Sequence, residues 1–273
     1  MRLAIVLTGL ISFGLAHSVQ ADYKAGLAAY EKGDFKTALA EVKPAAEQGN
    51  SLAQFGMGLM YRNGQGVLPD YQEAYKWFGR SAEQGNVAAQ FNLAMMNHNG
   101  QGVPKNYAEA ARIYRQAAEN GNFRAQFNLG TMYQMGQGVP KDYKEAARLI
   151  RQAADQKMAV AQFTMGDLYF TGHGVDQDYI EAFKWYRLAA DQKTPVALIA
   201  LSGMYVNGQG VAKSPVVAYA LANAVASKNK VFAGLRDKLA TKLNPAQLKE
   251  GQRLTLDIAQ GTTRVLDRNL AAK

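Results

Sequence analysis

"AQFNLGTMYQMGQGVPKDYKEAARLIRQAA", Ala125–Ala154, holds the turn Gly136-Gln137-Gly138-Val139 between two stretches of helical periodicity. The turn returns at Gly64–Val67, Gly100–Val103, Gly172–Val175 (with His173 in place of Gln) and Gly208–Val211, a step of 36 residues each time. A fixed period of roughly 20–50 residues marks a chain built from stacked copies of one supersecondary unit. Other columns keep the step. Ala53, Ala89, Ala125, Ala161 and Ala197 do so, and a small residue recurs at Gly58, Ala94, Gly130, Gly166 and Ser202. The pair "QF" recurs at Gln54-Phe55, Gln90-Phe91, Gln126-Phe127 and Gln162-Phe163.

Each unit reads as two helices. The first runs from about Ser51 to Arg62, with Ala53, Met57, Met60 and Tyr61 on one face. The glycines of the turn supply residues free to take positive φ. Asp70-x-x-Glu73, Asn106-x-x-Glu109, Asp142-x-x-Glu145 and Asp178-x-x-Glu181 then open the second helix with the spacing of a capping box. In that motif the Glu reaches back to the cap amide. The second helix ends at Gly85-Asn86 or Gly121-Asn122, where glycine suits the position after the last helical residue. The Gly-x-Gly turns have no preceding strand, no following Lys-Ser/Thr and no third glycine, so they read as hinges between helices and not as phosphate cradles.

With Leu129-Gly130, Tyr133, Gly136-x-Gly138-Val139, Asp142, Ala146 and Ala153-Ala154 in place, the stretch closely resembles the Sel1-like repeat, a relative of the tetratricopeptide repeat. The resemblance covers 51–230 as five units, 51–86, 87–122, 123–158, 159–194 and 195–230. Residues 22–50 resemble a tetratricopeptide helix pair with Gly33-Asp34 as a shorter turn. It implies an all-α, right-handed α/α superhelical solenoid, acting as a non-catalytic adaptor that binds protein partners on a concave face. Exported cysteine-rich relatives associated with β-lactam binding or hydrolysis suggest an enzymatic alternative, but their cysteines are absent here.

Departures come late. Lys157 and Lys193 replace the helix-stop glycine, and the fifth unit has Ser214-Pro215 where earlier units have Asp-Tyr. Residues 231–273 form a cap, with Asn244, Pro245 and Gln247 as the cap, first and third positions of a closing helix. Solenoids need such ends to cover apolar surface.

The N-terminal 1–21 reads as a signal peptide. Arg2 precedes an apolar run from Leu3 to Ala16, and small residues at Val19 and Ala21 suit cleavage after Ala21. The expectation is a periplasmic or secreted protein with no further membrane span. Without cysteine, disulfides and thiolate sites are excluded. Net charge is +9, and residues 213–273 alone carry 11 basic and 4 acidic side chains. That placement argues against a nucleic-acid groove along the chain. It marks Lys228, Lys230, Arg236, Lys238, Lys242, Lys249 and Arg253, with Arg264 and Arg268, as a basic patch. Such a patch is either a solvated helix face or a site for an acidic partner or the anionic envelope surface.

No catalytic constellation stands out, and the expected cofactor and metal content is none. His98 and His173 lack a second ligand at helical spacing. On a helical wheel the Phe55, Phe91, Phe127 and Phe163 column lies well round from Ala53. It is expected opposite the helix's own partner, either packed on the neighbouring repeat or on the concave surface. Beside it lie Leu59, Arg62, Met95, His98, Thr131, Gln134, Asp167 and Phe170. These positions vary between units and are the candidate partner-binding residues, because scaffold columns repeat while a contacted surface need not.

Overall fold

The computed structural model describes residues 24–260. The signal segment expected at 1–21, with Arg264 and Arg268, lies outside the described residues. The described chain is helical and without strands: α1 (24–31), α2 (Phe35–Glu47), α3 (Ser51–Asn63), α4 (Tyr71–Glu83), α5 (Val87–Asn99), α6 (Tyr107–Glu119) and α7 (Phe123–Met135). There follow α8 (Tyr143–Asp155), α9 (Ala159–Thr171), α10 (Tyr179–Asp191), α11 (Pro195–Asn207), α12 (Pro215–Val225), α13 (Lys230–Ala240) and α14 (Pro245–Ala259). A 3-10 turn, Ala226–Lys228, stands between α12 and α13. It belongs to the α-solenoid class of stacked helix pairs. Contacts group the chain into two compact units, residues up to Leu129 with Gly136–Pro140, and Gly130–Met135 with residues from Lys141 on.

In the first unit, Asn50 and Asn86 each accept from the amide three residues on, 2.9 Å at Ala53 and 3.0 Å at Ala89, which starts α3 and α5. Gly64 and Gly100 end those helices at φ 68° and 74°. The next helix opens on Asp70 or Asn106, whose side-chain oxygen accepts from Glu73 N and Glu109 N at 3.0 Å. The expected capping box is only half formed. The cap amides of Asp70 and Asn106 donate instead across the loop to the carbonyls of Tyr61 and Asn97, both at 2.9 Å. With that amide taken, Glu73 turns outward to Lys76 (2.6 Å) and Glu109 to Arg112 (2.7 Å). The second unit repeats the pattern at Asp142 and Asp178, whose amides reach Tyr133 and Tyr169 at 3.0 Å. There Glu145 pairs with Arg148 and Glu181 with Lys184. Asn244, whose amide donates to the Gln247 side chain, closes a full box with Gln247, at 2.9 and 3.0 Å.

The second glycine of each turn has a separate job. A Cβ on Gly66, Gly102 or Gly138 would fall deep inside contact distance of the carbonyls of Phe35, Tyr71 and Tyr107, the first residues of the preceding repeat's second helix. Gly174 and Gly210 meet Tyr143 and Tyr179 in the same way in the second unit. The turns are therefore packed joints between repeats, more than hinges within them. The small column at 58 serves the pairing inside a repeat. A Cβ on Gly58 would stand 2.5 Å from Phe78, and one on Gly130 2.7 Å from Ile150.

The first unit buries Val42, Ala46, Ala53, Met57 and Trp77 in one cluster, and Ala74, Phe78, Ala89 and Met96 in the next. The second unit's core joins Phe183, Tyr186, Leu201, Tyr205, Val217 and Tyr219 to Leu239, Leu254 and Ile258 of the cap. Helix α14 reaches α12 through Gly251, where a Cβ would stand 2.6 Å from the Tyr219 ring.

Candidate functional site

The Phe column settles the orientation of the first helices, and it corrects the wheel. Phe55 lies 5.8 Å from Phe78 and Phe91 5.9 Å from Tyr114, ring centre to ring centre. In the second unit Phe163 lies 5.4 Å from Tyr186. Each phenylalanine packs on the second helix of its own repeat. The Ala53–Met57 stripe faces the second helix of the preceding repeat, as its cluster with Val42 and Ala46 of α2 requires. A wheel gives angles between side chains but not which of two neighbours each side meets.

The candidate residues beside that column are all half-buried. In the first unit Leu59 packs with Phe55 against the Phe78 cluster. Arg62 reaches from α3 to α5, where it donates to Asn92 Oδ1, and its guanidinium carbon lies 5.9 Å from the centre of the Phe78 ring. Met95 sits half-buried on α5. His98 stands edge-on to Tyr107 at 5.1 Å and to Tyr114 at 6.3 Å. Its Nδ1 is buried without a hydrogen-bond partner, and burial first, then Lys105, hold its pKa below the ordinary imidazole range. Burial likewise pushes the Tyr114 hydroxyl up to about 12, opposed by the 3.0 Å bond it accepts from Asn128 Nδ2.

In the second unit Thr131 and Gln134 are half-buried on the last turns of α7. Asp167 accepts a 2.6 Å bond from the Tyr186 hydroxyl, and burial raises its pKa while that bond opposes the rise. Phe170 stands edge-on to Tyr179 at 5.2 Å. Two of the four equivalents of position 62 lean on the aromatic residue that opens the second helix, His98 on Tyr107 and Phe170 on Tyr179.

The basic patch of the C-terminal end divides. Arg253 forks onto Glu250 (2.7 Å) and reaches Asp257 (3.1 Å), and Arg236 pairs with Asp237 at 2.6 Å. Lys230, Lys238, Lys242 and Lys249 are exposed. The Lys228 side chain lies outside what the structure describes. Among the described residues no cluster of three or more His, Cys, Asp or Glu is placed to hold a metal ion, and no helix is long and apolar enough to cross a membrane.

One set of polar residues escaped the sequence reading, the glutamines of the "QF" pairs. Gln54, Gln90 and Gln126 in the first unit donate through Nε2 to the carbonyls of Ala46, Ala82 and Ala118, at 3.1, 3.4 and 3.1 Å. Gln162 does the same to Ala154 at 3.2 Å in the second unit. These buried amides tie α3, α5, α7 and α9 each to the end of the preceding repeat; α11 has Leu198 at that position. The available signal was a polar residue kept at a fixed step beside an unchanging alanine.

Against known proteins, the family model of the Sel1 repeat matches residues 51–86, 87–122, 123–158, 159–193 and 195–229. No curated protein sequence matches the chain. Among solved structures, a Sel1 repeat protein from Oxalobacter formigenes is 29% identical, covers 87% of this chain and 98% of its own, and superposes with a TM-score of 0.75. A protective antigen of uropathogenic Escherichia coli strains, c5321, displays an SLR fold and is 23% identical over 93% of this chain and 80% of its own, with a TM-score of 0.44. The immunity protein PA5088 from Pseudomonas aeruginosa is 20% identical over 82% of each chain, also at 0.44.

Proposed function

Because the chain belongs to the Sel1 repeat family, we propose that it is a non-catalytic scaffold exported to the periplasm or cell envelope, holding a protein partner on its first-helix face. Sel1 repeat proteins are generally non-catalytic scaffolds that bind other proteins. The observation that carries the choice of face is the contrast along α3 and α5. Packing positions repeat from unit to unit, while Leu59-Arg62 gives way to Met95-His98 at half-buried, solvent-reachable sites. The third and fourth repeats continue the variation with Thr131-Gln134 and Asp167-Phe170. Export rests on the signal-like segment of the sequence.

In-cell photocrosslinking tests this. A photoreactive residue is placed at Arg62, His98 or Gln134, with a control at Lys76, which is exposed on α4. The expected result is a discrete protein adduct at the first three positions and none at the control. No adduct from a folded, exported protein overturns the proposed face.

A second reading has its own observation. Lys230, Lys238, Lys242 and Lys249 are exposed and carry no ion pair among the described residues. They suit an anionic envelope surface or acidic partner, whose attraction decays over about 10 Å at 0.1 M salt. Binding to anionic vesicles that fades between low and high salt, and disappears when the four lysines become glutamine, is the expected result of that reading.

A further inference from the structure

The first unit contains a groove lined by residues of α4, α5 and α6. It lies between the second helices of two successive repeats, α4 and α6, with α5 as its floor, and has a volume of about 450 Å³. Gly79, Glu83 and Tyr75 line one side, Ile113 the other, and Gln90 and Leu93 the bottom. Two departures from the repeat create it.

The first is Gly79. The next three repeats hold Arg115, Arg151 and Arg187 at this position. In the second unit Arg151 fills the equivalent space, its guanidinium carbon 5.4 Å from the Tyr169 ring centre and 5.6 Å from that of Trp185, and it donates to the Tyr169 hydroxyl. At Gly79 a Cβ would meet nothing within 4 Å, so the space is open.

The second is Asn120. In the first and fourth repeats the buried glutamine's Oε1 accepts from a glutamine that ends the following second helix, Gln84 to Gln54 at 2.6 Å and Gln192 to Gln162 at 2.7 Å. Asn120 stands where Gln84 and Gln192 stand, one methylene shorter, and folds back onto the carbonyl of Gln116 at 2.9 Å. Gln90, 7% exposed, therefore keeps Nε2 on Ala82 and leaves Oε1 buried with no partner. Leaving a buried acceptor unmade is costly, and such atoms are rare in folded proteins.

We propose that this groove receives an arginine side chain from a protein partner, its guanidinium donating to Gln90 Oε1 and to the Glu83 carboxylate. The charge fits. Arg112 on the rim is held by Glu109 in a fork of 2.7 and 2.8 Å, so Glu83 leaves the groove with a net negative charge. Leu93 and Ile113 offer an apolar wall for the aliphatic stem, which long cationic side chains bury readily. A guanidinium carries five donors and no acceptor, and so suits a site that presents acceptors. The chain's own Arg151 occupies the matching position two repeats on. Only the source of the arginine rests on the scaffold reading; the site itself does not.

The experiment is a titration of the full chain with N-acetyl-L-arginine amide, followed by NMR at the Gln90 side-chain amide. The neutral isostere N-acetyl-L-citrulline amide is the control ligand. The expected result is a saturable shift, with citrulline binding at least about tenfold more weakly, since charge-assisted hydrogen bonds are roughly twice as strong as neutral ones. Gly79→Arg supplies an internal guanidinium and abolishes the response. Asn120→Gln gives Oε1 its missing donor and weakens binding several-fold. Circular dichroism on both variants establishes that they are folded. No saturable shift in the unmodified protein, an equal response to citrulline, or an undiminished response in folded Gly79→Arg overturns the proposal. Crosslinks at Arg62 and His98 that persist alongside such a failure leave the scaffold reading standing and remove only the arginine site.

Discussion

At the scale of single residues, the buried glutamines and the lysines in left-handed backbone make opposite predictions. Gln162 loses two bonds on truncation, one to Ala154 and one from Gln192. Gln162→Ala is therefore expected to cost about 1–3 kcal/mol, because it strands a carbonyl in the interior. Lys157 and Lys193 hold φ of 65° and 60° where the earlier repeats place Gly49, Gly85 and Gly121. An L residue is strained there, whereas glycine loses more chain entropy on folding. Lys157→Gly should stabilise by a net of about 0.5–1 kcal/mol. Denaturant titration reads both signs. Asp167 gives a pH-dependent case. Its folded pKa is raised by burial, so the native state favours the proton, and that stability is full below the ordinary carboxylate value of about 4 and is lost as pH rises from there through the raised folded value. Asp167→Asn can still accept from Tyr186. It should match the unmodified protein in acid and exceed it at neutral pH, as thermal melts at both pH values would record.

At the scale of elements, a glycine that stops a second helix and a glycine that forms a joint between repeats can be separated. Gly85 has open space around its missing Cβ and pays only for φ of 82°. Gly138 has φ of 68° and the Tyr107 carbonyl against it. Gly85→Ala should cost about 1 kcal/mol and Gly138→Ala about 3 kcal/mol or more, since backbone cannot yield as a side chain can. The helix starts and the first glycine of each turn were legible because their causes are local in sequence. The outward swing of Glu73 was not, because its competitor is the Tyr61 carbonyl across the loop. The side taken by Phe55 was hidden for a related reason, since a first helix lies between two second helices and periodicity does not rank them. Gln54 was legible in principle: a polar residue on an apolar stripe at a fixed step asks for a partner.

For the molecule as a whole, the cap is the most exposed test. Leu239, Leu254 and Ile258 join a core that includes Val217 and Tyr219 of α12. Ending the chain after Lys228 should uncover that face, raise binding of a hydrophobic dye and lower the melting temperature by roughly 10 °C, given about 1.5–3 kcal/mol per buried aliphatic side chain. An unchanged melt would mean that the repeats close themselves. The candidate partner face was legible only as a list of variable positions. Its neighbours, such as the hold of Arg62 on Asn92, depend on how one repeat stacks on the next. The groove at Gln90 follows from two departures, Gly79 and Asn120, that gain meaning only when the columns are aligned in space.

The joints between successive repeats address the main chain. Gly138 rests on the carbonyl of Tyr107, and Gln126 grips the carbonyl of Ala118. A carbonyl is the same whatever residue bears it, so such a joint asks little of its neighbour's side-chain identity. Unequal recombination that inserts or deletes one whole 36-residue copy then leaves these main-chain joints with a chemically equivalent partner. The lineage is free to vary the number of rungs while the fit between any two of them stays fixed.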